Sequence, residues 1–434
     1  MTTTCDESTP LITSNPQSPP SPPKWNVFFI MALFGLTYLI PFDMVFTANG
    51  YFRAKFSETG DESLIQRFPC YFQAGGITTQ VIMSISSMII LKRVPIEPFV
   101  IGCNIVTLTI FVVMTIMSKV PTITWPMTFF VLTTSMYCVA CGAGAMYKSG
   151  VMAIASMLNP KAIQGFILGQ SAAGAVNSLI SLITLSFPHT DVLQAGFCYL
   201  LASCICLAVS LSVYILIFNK MRYVRNNTIR KTEVVPSDQE SLLDTSTSTT
   251  STSDDETEKA TFTAVLKASW QFCAANCISL IITLLLFPAA ISNLQPSDPT
   301  KMPQCVYNII IFMTFSVGDV LGALTSTFIA LPKKLVLPFS ILRLIFIPLI
   351  FMCNLQPRTV PVWFVADYWP GLFYFTMAWS NGIVLSIAAT YCATSVESKL
   401  AKSIAGTLST FSCALGLVIG SLLVFPMLSL LKIK

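Results

Sequence analysis

The stretch NIIIFMTFSVGDVLGALTSTFIA (308–330) carries one charged residue, Asp319, in an otherwise apolar and small-residue run. At about 1.5 Å rise per residue, such a run is long enough as a helix to cross the roughly 30 Å hydrocarbon layer of a bilayer. A carboxylate at that depth costs about 2.5–3.5 kcal/mol on insertion scales, so it needs a partner or a use.

The rest of the chain has the same character. It has 434 residues, 54% hydrophobic and 10% charged, against roughly 25% charged in a soluble domain. The mean hydropathy is +0.71. Eleven apolar segments read as spanning helices, at 25–46, 68–91, 95–117, 125–158, 161–187, 191–218, 262–287, 303–329, 334–354, 362–392 and 402–430. The sequence therefore predicts an all-α polytopic membrane protein in contact with lipid along most of its length. The net charge of +5 carries no implication of a nucleic-acid partner, because basic residues sort to cytosolic loops.

Composition divides the chain into four parts. Residues 1–24 are polar and Pro/Ser-rich, without the apolar core of a signal peptide, and read as a disordered cytosolic tail. Residues 25–218 hold six helices. Residues 219–261 begin basic and turn into DTSTSTTSTSDDETE, a disordered cytosolic linker; residues 262–434 hold five helices. A six-plus-five split around a polar linker is how a two-bundle carrier reads. With the N-terminus in the cytosol, 15 Lys/Arg fall on the cytosolic side and eight on the other, the bias expected of that orientation. The C-terminus is then outside or lumenal.

No Walker loop, paired-Cys metal site or Ser-His-Asp set is present, and His189 is the one histidine. Nothing in the sequence points to enzymatic chemistry, a metal or an organic cofactor. Most of the 14 Cys lie within spans, where they act as small apolar residues. Cys70 and Cys305 both fall near the non-cytosolic side, where a disulfide is one reading.

Four ionisable residues fall within spans: Asp43, Lys148, Asp319 and Arg343. Each fits either a solute-binding role or a structural ion pair, with Arg343 the residue most suited to the latter. Asp43 follows Pro41, which removes a backbone hydrogen bond from its helix. Phe315 lies one turn before Asp319, and Gly318 and Gly322 allow close approach of a helix or a ligand. GFILGQSAAGAVNS places Gly165, Gly169 and Ala173 on one face and adds the polar Gln170 and Asn177. AWSNGIVLS adds Ser380 and Asn381 before Gly382.

Taken together these segments resemble the equilibrative nucleoside transporter family. PFDMVFTANGYF is similar to that family's first-helix P-W-N-x-F-x-T-A…Y-F pattern, GFILGQSAAGAVNSLIS to its fifth-helix G-Q-x-x-A-G, and ITLLLFPAA to its seventh-helix F-P-A. FSVGDVLG resembles the eighth-helix F-N-x-x-D-x-x-G-R, LPFSILRLIFIPLIFMCN the ninth-helix pattern, and WSNGIVLS and AGTLSTFSCALGLVIGS the last two helices. Each is weak singly, but seven in register on this helix count are specific. The resemblance implies a fold like the major facilitator type, rocking between inward- and outward-open states by alternating access, with nucleosides or nucleobases as substrates. Transport is then facilitative or proton-coupled.

The departures matter as much. The family's Trp-Asn is Phe42-Asp43, its eighth-helix Asn is Ser316, and its arginine four after the aspartate is Ala323. By the resemblance that arginine and the aspartate bind the nucleoside sugar. Lys148, beside Ser149 where the family keeps a glutamine nearby, is the candidate replacement cation, in contact with Asp43 or Asp319. The expected substrate-binding set is thus Phe42, Asp43, Lys148, Ser149, Gln170, Phe315, Asp319 and Asn381. One alternative is a polyspecific organic cation or monoamine carrier attracted by the two acids; another is a non-transporting receptor or scaffold. Desolvation favours the protonated form of a carboxylate, so Asp43 or Asp319 is a candidate carrier of a coupling proton. We expect a monomer.

Two segments address location. Glu7, Leu11 and Ile12 in DESTPLI, and Asp238, Leu242 and Leu243 in DQESLL, fit acidic dileucine signals read by sorting adaptors. They predict an endolysosomal membrane or a cycling plasma-membrane protein.

Overall fold

The computed structural model describes residues 24–57, 62–121, 124–185, 192–221, 224, 250–287, 290–298, 300, 302–356 and 361–432. Both dileucine segments and His189 lie outside these residues, as do the side chains of Cys70 and Cys305.

Apart from two isolated bridges in the loops, the described chain is helical, with eleven helices long and apolar enough to cross a membrane. The first half comprises α1 (Lys24–Thr47), the short α2 (Asn49–Ser57), α3 (Glu62–Arg93), α4 (Ile96–Met117), α5 (Pro126–Leu158), α6 (Pro160–Leu185) and α7 (Val192–Val213). The second comprises α8 (Thr250–Leu286), α9 (Gln304–Phe328), α10 (Val336–Leu342), α11 (Phe346–Phe351), α12 (Tyr368–Thr394) and α13 (Lys399–Lys432).

Three elements depart from the expectation. First, α8 begins at Thr250, inside the segment read as linker. Residues 250–261 contain no Pro or Gly to interrupt a helix. Second, the ninth span, expected as one helix, is broken. α10 and α11 are separated by a 3-10 turn at Arg343–Ile345. Pro348 explains the break, since it has no N–H for the carbonyl of Leu344 and its ring crowds that carbonyl. Third, the tenth span starts at Tyr368 rather than near 362. Asp367 stays in the preceding turn, where its Oδ1 accepts from the Ser297 backbone N–H at 2.7 Å and the Ser297 hydroxyl at 2.8 Å.

Two helix pairs set the geometry, and both are built on glycine. α1 packs on α6 backbone to backbone. A Cβ at Gly169 would stand 1.9 Å from the carbonyl oxygen of Ala32, and one at Gly35 would stand 2.0 Å from that of Phe166. α9 packs on α12 in the same way, with Gly322 against Trp379 and Gly382 against the carbonyl oxygen of Asp319. The small-residue stripes of the sequence are therefore packing seams.

Around these seams the first half fills with aromatic side chains. Tyr51, Phe52 and Phe56 of α2 are buried, and Phe72 stacks on Tyr137 with ring centroids 5.2 Å apart. The two halves meet where α6 lies against α9 and α12, and where α3 and α5 lie against α13. Between them a cavity remains.

Candidate functional site

The cavity has a volume of about 330 Å³ and is walled by both halves. α1 contributes Tyr38, α3 Gln80, α5 Lys148, and α6 Gln170 and Ser171. From the second half come Thr283 of α8, Phe287 just after it, Phe315 and Asp319 of α9, Asn381 of α12 and Cys413 of α13. That is an apolar hollow with a few converging polar groups, the usual character of a small-molecule site, and its size falls in the roughly 300–1,000 Å³ range of such sites.

Its acidic end is organised in depth. Asp319 projects from α9, and the α9–α12 glycine seam brings Asn381 beside it. The Asn381 amide Nδ2 donates to Asp319 Oδ1 at 2.9 Å. The carbonyl oxygen of the same amide accepts from the hydroxyls of Ser279 and Thr283, each at 3.0 Å. Behind these hydroxyls lies Arg343, buried and held by the broken ninth span. Its Nη2 donates to Thr283 Oγ1 at 2.9 Å and its Nη1 to the Ser279 hydroxyl and carbonyl. Nε donates to Ser380 Oγ at 3.1 Å, and Nη2 also to the Met377 carbonyl at 3.2 Å.

The first-half side of the cavity carries Lys148. Its Nζ lies 5.8 Å from the centre of the Tyr38 ring, within the range of a cation–π contact. On the second-half side, Phe287 and Phe315 stack with ring centroids 3.9 Å apart and planes 15° from parallel. They give the cavity a flat aromatic wall.

Of the eight residues the sequence singled out for binding, five line this cavity: Lys148, Gln170, Phe315, Asp319 and Asn381. Three do not. Phe42 is buried in the aromatic core of the first half, 6.0 Å from the Phe111 ring and against Gly144, and borders a side pocket of about 10 Å³. Asp43 lies one turn beyond Leu39, outside the cavity lining, with Tyr38 and Tyr137 as its electrostatic neighbours. Ser149 is fully buried outside the cavity lining, with its hydroxyl unpaired.

The expected contact between Lys148 and an aspartate is also corrected. Among the described residues, no ion pair within 4 Å joins Lys148 to Asp43 or Asp319. Arg343 is likewise not directly paired with an acid; its link to Asp319 runs through hydroxyls and an amide. Ala323, which stands where the resembled family has its arginine, is completely buried at the α9–α12 seam.

Sequence reading missed Tyr38, Gln80, Ser171, Thr283 and Phe287. Gln80 is a polar residue inside an apolar span, and Ser279 and Thr283 are hydroxyls four apart in SLIITLLLF. Both signals were present but common to many spans. Asn177, placed on the polar stripe of α6, serves to hold helices instead: its Oδ1 accepts from the Thr47 hydroxyl at 2.6 Å.

Comparison with known proteins agrees with this geometry. The family model described as Nucleoside transporter matches residues 134–428, the stretch from α5 to α13. The chain is similar to equilibrative nucleoside transporter 3 of Rattus norvegicus, at 24% identity over 91% of this chain and 86% of that protein. It is also similar to equilibrative nucleoside transporter 1 of Homo sapiens, at 25% identity over 92% and 96%. Among solved structures, the proton:xylose symporter XylE of the major facilitator superfamily aligns with a TM-score of 0.52 at 13% identity, over 93% of this chain and 88% of that one. The E. coli fucose:proton symporter FucP aligns with a TM-score of 0.50 at 12% identity, over 93% and 96%. The two bundles around a central cavity are thus the major facilitator arrangement, and on its sequence this chain belongs to the equilibrative nucleoside transporter family.

Proposed function

We propose that the protein carries nucleosides, and nucleobases as smaller solutes of the same kind, across its membrane by alternating access of the two bundles. The observation that carries this is the meeting, in one cavity, of the acid Asp319, the stacked pair Phe287 and Phe315, and the donors Lys148, Gln80 and Gln170. Asp319 accepts from ribose hydroxyls. The Phe287–Phe315 stack offers a face for a planar base. Lys148, Gln80 and Gln170 can donate to ring nitrogens and carbonyl oxygens of the base. The chain is a carrier and not an enzyme, as its family membership implies.

The organic-cation reading fares worse. Asp319 is already bonded by Asn381, which Ser279 and Thr283 tie to Arg343, while Lys148 lines the same cavity and forms no ion pair with an acid among the described residues. A monoamine entering would meet that ammonium in the same cavity. A non-transporting receptor would not need a cavity walled by the elements that must move apart.

Flux is facilitative in this reading, with a coupling proton on Asp43 or Asp319 as the added possibility. The N-terminus and the polar linker face the cytosol, and the dileucine segments direct the protein to an endolysosomal membrane through sorting adaptors. The protein acts as a monomer. The test is uptake of labelled adenosine, uridine, a nucleobase and a monoamine in cells lacking other such carriers, at about pH 5.5 and about pH 8. Saturable nucleoside uptake is expected. Transport of the monoamine alone would overturn the reading, and equal uptake at both pH values would remove the proton.

A further inference from the structure

Arg343 is a buried cation whose five N–H groups all find acceptors, none of them an acid. They go to the hydroxyls of Ser279, Thr283 and Ser380 and to the carbonyls of Ser279 and Met377. A buried charge left without a counterion is costly. Asp319 is the acid that faces Arg343 electrostatically.

The groups between them are ordered. Ser279 and Thr283 use oxygen lone pairs to accept from the guanidinium; Ser279 then donates its hydrogen to Asn381 Oδ1, and Thr283 shares its own between Asn381 Oδ1 at 3.0 Å and the Ser279 carbonyl at 2.8 Å. With its oxygen so occupied, the Asn381 amide must present its NH2 to Asp319. The reverse orientation would set an amide oxygen against a carboxylate. Every bond in the chain therefore donates away from the cation and toward the anion.

We propose that Arg343 is the positioning residue for Asp319, acting at a distance through Ser279, Thr283 and Asn381, and so stands in for a cation next to Asp319 on α9. The role in solute binding rests on the reading that Asp319 accepts from the sugar. A purely structural Arg343 would need only to satisfy its own donors. Here two of its bonds orient hydroxyls that converge on one amide oxygen, and that amide holds the cavity acid. The position at 323 is closed to such a cation, because Ala323 is fully buried where Gly382 approaches its backbone nitrogen.

Ser279 is the cleanest place to cut the chain, since it does not line the cavity. Ser279→Ala should raise the KM for uridine about ten-fold, the worth of about 1.4 kcal/mol, with Vmax per transporter changed less than about two-fold. Thr283→Val should act alike, and Thr283→Ser, which keeps the hydroxyl, should restore the parent KM. The deciding measurement is a double-mutant cycle of Ser279→Ala with Asp319→Asn, read both as KM and as the melting temperature of the purified full-length protein. Strong non-additivity between these two residues, which do not touch, supports the relay. Additive effects in both readouts, or an unaltered KM in Ser279→Ala together with an additive melting-temperature cycle, overturn it. Failure of the sugar reading looks different: Asp319→Asn alone would leave the nucleoside KM unchanged. The melting-temperature cycle then still decides the relay by itself, coupling supporting it and additivity overturning it.

Discussion

Gly382 is where packing and binding meet. A methyl group there would stand 2.3 Å from the carbonyl oxygen of Asp319 and 2.5 Å from the Ala323 nitrogen, both backbone atoms that cannot swing aside. Ordinary van der Waals contact begins near 3.4 Å, so Gly382→Ala must open the α9–α12 seam by about 1.1 Å. Asn381 precedes Gly382 and moves with it. Its 2.9 Å bond to Asp319 would stretch to about 4 Å, beyond hydrogen-bond range. Overpacking of this kind costs about 1–3 kcal/mol of stability, and a hydrogen bond to a charged group is worth about 1.5–3 kcal/mol. The expectation is a lower melting temperature and a nucleoside KM raised about ten- to a hundred-fold. The assay is uptake normalised to transporter at the membrane, with thermal unfolding of the detergent-solubilised protein alongside. A Gly382→Ala protein with parent KM and melting temperature would refute the claim that this seam sets the Asp319–Asn381 distance.

Three further outcomes follow from the same geometry. Lys148→Met removes the cation on the cavity wall while keeping a long side chain; nucleoside uptake should fall about ten-fold in Vmax/KM and organic cations should become better substrates, so unchanged selectivity would count against a role for that charge. Lys161 of α6 donates to the Thr327 carbonyl at 2.5 Å and Gln164 to the Ser326 carbonyl at 3.2 Å, tying the first half to the C-terminal end of α9. Lys161→Ala with Gln164→Ala should weaken that tie by about 1–2 kcal/mol and speed amide hydrogen exchange at the end of α9; unaltered exchange would show the contact to be inert. Replacing Leu11, Ile12, Leu242 and Leu243 by Ala should move the protein to the cell surface in immunofluorescence, and an unmoved protein would show the signals to be silent.

Much of this molecule is legible from its residues in order. A span is a local property, fixed by some twenty apolar side chains in a row and by the need to satisfy every backbone group within the helix, so all eleven spans could be read. The exceptions are local too. Pro348 breaks the ninth span one turn beyond Arg343, and an uninterrupted polar run lets α8 begin at Thr250. Motif order likewise pointed to the family, and Asp319, Asn381, Phe315, Gln170 and Lys148 to the cavity.

What the sequence could not decide is which polar groups from different helices meet. Phe42 and Asp43 sit in a family motif, yet the rotation and depth of α1 put them in the aromatic core and beyond the cavity, while Tyr38 faces it. Lys148 had the right charge to pair with Asp319, but α5 holds it beside the Tyr38 ring, with no ion pair to Asp319. The partner is instead Asn381, delivered by two glycines on α9 and one on α12 that let those helices touch. Hydrophobicity is summed along the chain and survives without knowledge of neighbours. A hydrogen bond needs two atoms within about 3 Å, and only the packing of one helix on another sets that distance.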